Sequence, residues 1–215
     1  MGASRAELDR ILDRLEAAGV ENVIALRGDP PRDATHFEPA PDGLAHAVDL
    51  VRLIRSRGRR LCVAVAGYPE GHVEAPDLDT DVGFLAEKVA AGADLVITQL
   101  FFENRFYFDF VERARARGVK VPIVPGIMPI TNLAQIERFT TMCGATIPPA
   151  LHRVLEWAGD EPERVVQIGI DHATEQCMEL LERGAPGIHF YTLNKSRSTY
   201  EILRRIRERY PGTGG

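Results

Sequence analysis

The sequence predicts an α/β protein built on a parallel sheet, and three observations carry that prediction. Apolar runs of strand length, such as Val23-Ile24-Ala25-Leu26 and Leu61 to Ala66, alternate with stretches whose apolar residues recur at helical spacing. The runs lack the polar alternation of a half-exposed strand, which suits strands covered on both faces. Their spacing of roughly 30 to 40 residues leaves room for a right-handed crossover helix between successive parallel strands. Five strands are expected, in one domain over residues 1–210, with a Gly-rich flexible tail at 211–215.

Ser4 and Glu7 have the spacing of a capping box, and Leu8, Ile11, Leu12 and Leu15 follow at helical intervals until Gly19. The first strand spans 22–27 and stops at Pro30-Pro31, which cannot continue a ladder. Arg27, Gly28 and Asp29 therefore stand at its carboxyl end, where parallel α/β folds place their chemistry. A loop to Asp42 leads into a helix with Leu44, Ala47, Val48, Val51 and Ile54 on one face, closed by Gly58. Leu61 to Ala66 is the second strand, followed by a helix from Asp79 to Ala91 and a third strand from Asp94 to Gln99. A helix from Arg105 to Arg117 precedes a strand over 121–124 that opens at Pro122 and breaks at Pro125-Gly126. Thr131 caps the next helix, Pro148-Pro149 opens another that contains Trp157, and a longer helix spans Glu163 to Arg183. The last strand is Gly187 to Tyr191, and a basic helix from Ser198 to Tyr210 ends the domain.

With 215 residues, 45% hydrophobic and 27% charged, the chain can bury one sizeable core. Its net charge of −5 gives no basic footprint for nucleic acid, so small molecules or protein are the expected partners. There is no run of 18 apolar residues and no secretory signal, which predicts no membrane span and a cytoplasmic location. Cys62, Cys143 and Cys177 form no C-x-x-C pair; all three are expected to be reduced, with Cys62 in the core. No metal site is expected, because His72 has no second ligand at a recognisable spacing.

Five motifs occur in order at the strand ends: Ala25-Leu26-Arg27-Gly28-Asp29, Tyr68-Pro69-Glu70-Gly71-His72, Ile97-Thr98-Gln99-Leu100-Phe101-Phe102, Pro125-Gly126-Ile127-Met128-Pro129-Ile130 and Phe190-Tyr191-Thr192-Leu193-Asn194. Together they resemble methylenetetrahydrofolate reductase along essentially the whole chain. The resemblance implies a (β/α)8 TIM barrel of which about five of eight βα units are present. It also implies non-covalent FAD, NAD(P)H as co-substrate, and ping-pong hydride transfer that reduces 5,10-methylenetetrahydrofolate to 5-methyltetrahydrofolate. A homo-oligomer is compatible with these expectations. The family's general acid, a glutamate near the first barrel strand, has no counterpart by motif here. One explanation is that Met1 is an internal codon misread as a start.

The resemblance places Arg27, Gly28 and Asp29 against the flavin, with Asp29 in the catalytic role of setting charge beside the ring. Tyr68, His72, Ala75, Asp81 and Lys88 match further flavin contacts, Lys88 as a cation for the diphosphate. Gln99 matches a position that binds the pterin, a role suited to a carboxamide able both to donate and to accept. Gln135 and Phe139 match the shared folate and nicotinamide site, and Lys195 meets ligand anions. His46 and Glu87 depart from the family pattern, at positions where an aromatic hydroxyl and a base are expected. The aromatic run from Phe101 to Phe110 reads mainly as core. The rival expectation is a non-catalytic fragment or subunit that needs a partner chain to complete the flavin site.

Overall fold

The computed structural model describes residues 3–28, 39–159 and 161–210. Asp29, Pro30, Pro31 and the tail at 211–215 lie outside the described residues. Along the chain run α1 (Arg5–Ala17), β1 (Asn22–Ala25), α2 (Ala47–Ser56), β2 (Cys62–Gly67), α3 (Leu78–Ala90), β3 (Leu95–Leu100) and α4 (Asn104–Ala116). There follow β4 (Ile123–Ile127), α5 (Leu133–Cys143), α6 (Pro149–Ala158), α7 (Pro162–Glu182), β5 (His189–Phe190) and α8 (Arg197–Arg209). The five strands pair in parallel and their spatial order follows the sequence, β1-β2-β3-β4-β5. Each strand thus lies beside its successor in a curled half-barrel of the TIM-barrel kind.

Local signals act as the sequence predicts at α1, where the Ser4 hydroxyl accepts from the Glu7 amide and the Glu7 carboxylate accepts from Ser4 N. At α5 the cap is Asn132 rather than Thr131; its side-chain oxygen accepts from Gln135 N at 2.8 Å. An Asn carbonyl reaches the first-turn amides from that position, and Thr131 lies one residue too early.

The convex face of the sheet and the helices share the main core, in which Val63, Val65, Val96 and Ile123 meet Ile54 and Leu85. A second cluster at the carboxyl end packs Leu100, Phe102, Ile130, Ile136, Leu155 and Val165. Phe101, Phe102, Tyr107 and Phe110 are buried, as core packing requires. Cys62 is only half-buried, because its side chain lies on the opposite face of β2 from Val63; Cys177 is the buried thiol, and all three cysteines are free.

Three strands differ from expectation. β1 is not covered on both faces: Ala25 on one face is buried, whereas Ile24 on the other is 45% exposed, as is Leu26 just beyond the strand at 50%; β1 pairs with β2 alone among the described residues. β4 continues through Pro125 and Gly126 to Ile127. The ladder shifts register there, between Ile97 and Leu100, and Gly126 N donates instead to the Thr98 hydroxyl at 2.9 Å. A proline is tolerated where the ladder is already irregular. β5 is two residues long, pairing His189 with Gly126 and Phe190 with Ile127.

Two glycines mark close approaches that fix the strand ends. A Cβ on Gly126 would lie 2.2 Å from Thr98 O and 2.6 Å from Tyr191 Cε2. The Tyr191 ring uses that space, and its hydroxyl donates to Thr98 O at 2.8 Å. A Cβ on Gly169 would lie 1.9 Å from Ile130 O, so α7 packs directly on the backbone after β4.

Candidate functional site

The loops after the strands gather at the carboxyl rim of the sheet, and a cleft of about 390 Å³ opens there beyond β1 and β2. Arg27 enters from the loop after β1, while Tyr68, His72 and Ala75 come from the loop after β2. Asp81 and Lys88 reach it from α3, seven residues apart and so on one helix face. Six of the eight positions assigned to flavin thus line one cavity. Gly28 stands beside it with φ +87°, a conformation that favours glycine. The departures His46 and Glu87 line the same cleft, so both face whatever occupies it.

The electrostatics of the cleft rest on a buried pair. Asp81 is 6% exposed, and burial raises its carboxyl pKa while Lys88 and His72 oppose the rise. Burial pushes the Lys88 ammonium down to about 8, with Asp81 acting in the other direction. Lys88 Nζ donates to Ala66 O at 2.6 Å and lies 5.7 Å from the Tyr68 ring centroid. Lys88 is therefore no solvated surface cation; its carbon stem crosses the helix–sheet interface and its head reaches the cavity. The Tyr68 and His72 rings meet edge to face at 4.6 Å, and His72 Nδ1 accepts from Glu74 N. Arg27 forms a two-pronged ion pair with Glu74, at 2.5 and 2.9 Å, joining the loops after β1 and β2.

A second, smaller hollow of about 20 Å³ lies under the loops after β4 and β5. Gln135 and Phe139 from α5 line it together with Tyr191 and Lys195, so three of the four substrate-site positions converge. That volume holds one water-sized occupant. Leu193 and Asn194 both have positive φ, at 48° and 60°, which turns the chain sharply from β5 towards Lys195. Gln99 joins neither cavity; its carboxamide oxygen accepts from Leu100 N at 2.9 Å. Among the described residues no group of three His, Cys, Asp or Glu side chains is placed to hold a metal, and no helix is long and apolar enough to cross a membrane.

The structure adds residues that spacing did not single out. Glu74 partners Arg27 across 47 positions, a separation at which no local pattern exists. Tyr191 bridges β3, β4 and β5, and burial pushes its phenol up to about 12. The signal for Tyr191 was the glycine at 126, which leaves room for a ring.

A sequence model described as methylenetetrahydrofolate reductase matches residues 1–207. A methylenetetrahydrofolate reductase (NADH) of Arabidopsis thaliana is 41% identical over 210 residues, covering 93% of this chain and 36% of the plant protein. A 5,10-methylenetetrahydrofolate reductase of Pectobacterium carotovorum is 35% identical over 204 residues, covering 95% of this chain and 66% of that one. The chain thus spans about a third of the plant relative's length. Among solved structures, a Clostridium thermocellum protein described as binding two copies of 5-methyl-5,6,7,8-tetrahydrofolic acid superposes with a TM-score of 0.58. It is 19% identical, covers 97% of this chain and 70% of its own, and speaks to the fold.

Proposed function

Because the chain belongs to the methylenetetrahydrofolate reductase family, we propose that it supplies the flavin-binding side of an enzyme that reduces 5,10-methylenetetrahydrofolate to 5-methyltetrahydrofolate with NAD(P)H. The observation that carries this reading is the convergence of Arg27, Tyr68, His72, Ala75, Asp81 and Lys88, drawn from three segments, on one 390 Å³ cleft. The donor set suits FAD. Lys88 spends one of its three N–H donors on Ala66 and keeps two for an anion, Arg27 supplies a second cation, and the Tyr68 ring offers an aromatic wall. FAD bound there would supply the redox chemistry, hydride transfer between the reduced nicotinamide and the folate.

The protein's share is to hold and orient. The Arg27–Glu74 pair fixes the two loops that flank the cleft, and Asp81 keeps charge beside Lys88. Asp29, next to Gly28, is assigned to set the charge at the flavin ring, where a carboxylate stabilises a cationic folate iminium. Gln135, Phe139 and Lys195 form the substrate side, and Gln99, at the end of β3, is assigned to the pterin as a donor and acceptor. The test is to add FAD to the purified chain, remove the excess by gel filtration and read visible absorbance. Retained flavin in the wild type and its loss in Arg27→Ala support the reading; a colourless wild type refutes it for this chain alone.

A second reading, favoured by the exposed Ile24 on β1 and Leu26 just beyond its end, is a subunit whose barrel is completed by a partner chain. Flavin retained only after mixing with a separately made amino-terminal barrel segment selects this reading over the first.

A further inference from the structure

The two cavities lie on different loops, and a hydrogen bond joins the walls between them. Glu70, in the loop after β2, accepts from Thr146 N at 3.1 Å with Oε1, across 76 positions. Thr146 belongs to the loop between α5 and α6. A second close approach lies beside that bond. Gly144, the left-handed cap of α5 with φ +75°, lies so close to the loop after β2 that a Cβ would stand 3.0 Å from Val73 Cγ1.

Burial raises the Glu70 pKa, reinforced by Glu103 and opposed by the Thr146 bonds and Arg105. A half-buried carboxylate that accepts a loop amide, with another carboxylate nearby, is a costly arrangement to keep without a positional benefit. It ties the loop that carries Tyr68 and His72 to the loop that leaves α5, the helix of Gln135 and Phe139.

We propose that Glu70 is a positioning residue that clips the α5–α6 loop to the loop after β2, and so holds the Phe139 face of α5 at a fixed spacing from the cleft. The proposal rests on the reading above only for what the two cavities hold. Misplacing one reacting partner by about 1 Å costs on the order of a hundredfold in rate, so a clip between the two walls acts on chemistry without touching a ligand.

The test is amide hydrogen exchange on the full chain without ligand, followed by binding of 5-methyltetrahydrofolate and of FAD. Glu70→Ala should speed exchange over residues 139–147 by about tenfold, the loss of roughly one net hydrogen bond, whereas Glu70→Gln, which keeps an acceptor, stays within about twofold. Folate affinity should fall about tenfold in Glu70→Ala and be restored in Glu70→Gln, with FAD retention unchanged in both. Should the Ala variant fail to fold, Glu70→Asp, charged but one methylene shorter, takes its place in the comparison with Gln. Unaltered exchange in the shortened variants, or equal loss in Glu70→Gln, overturns the clip. A wild type that retains neither ligand refutes the function, while the exchange comparison still decides the clip.

Discussion

Lys88 concentrates the residue-scale argument, because one side chain is at once buried, bonded to Ala66 and open to the cleft. Its pKa falls from 10.5 to about 8 through burial. Between those values the folded chain has released a Lys88 proton that the unfolded chain still holds, so Lys88 adds stability as pH rises over that window, a gain offset above about 9 by the buried Cys177 thiol, pushed up to about 12. Lys88→Met should abolish this rise in a series of thermal midpoints from pH 7 to 10, and should weaken FAD retention by about tenfold through the lost cation. A variant whose midpoints still climb with pH would place the titration elsewhere. In the sequence Lys88 was singled out by family resemblance alone; its burial follows from the α3 face that it shares with Asp81 and Leu85. Pairing of Arg27 with Glu74 was not legible, since only the folded loops bring them together.

Among the elements, α7 depends on one missing side chain. Gly169 meets Ile130 O with no room for a methyl group, and α7 also shares the second core cluster through Val165. Gly169→Ala should push α7 from the loop after β4 and cost about 3 kcal/mol, at the upper end of overpacking penalties, read as a lower urea midpoint at unchanged slope. Gly83→Ala, on α3 with only the Arg117 guanidinium nearby at 3.3 Å, serves as the control and should leave the midpoint within about 0.5 kcal/mol of the wild type or above it. Helix signals such as Ser4 with Glu7 act through adjacent residues and were readable. The path of β4 through Pro125 was not, because the Thr98 hydroxyl that replaces a ladder bond comes from another strand.

At the scale of the whole molecule, the sheet has an open flank. β1 pairs on one side among the described residues, and Ile24 and Leu26 are half exposed along it. Unpaired apolar edges template association, so the chain should form concentration-dependent oligomers in sedimentation velocity, and Ile24→Lys with Leu26→Lys should return it towards the monomer. Oligomers unaffected by those charges would lie on another surface. Fold class was legible because strand and helix periods alternate along the chain; exposure of β1 was not, because an apolar run reads the same whether or not a neighbour covers it. The sequential order of the strands has a consequence for how the chain assembles. Each strand after β1 pairs with the strand made just before it, so the sheet can be laid down in order of synthesis, while bonds such as Tyr191 to Thr98 and Gln176 to Phe101 wait for the carboxyl-terminal segments. The sheet can then extend strand by strand from one end, so that one unpaired edge advances along the chain while the β1 flank stays open throughout.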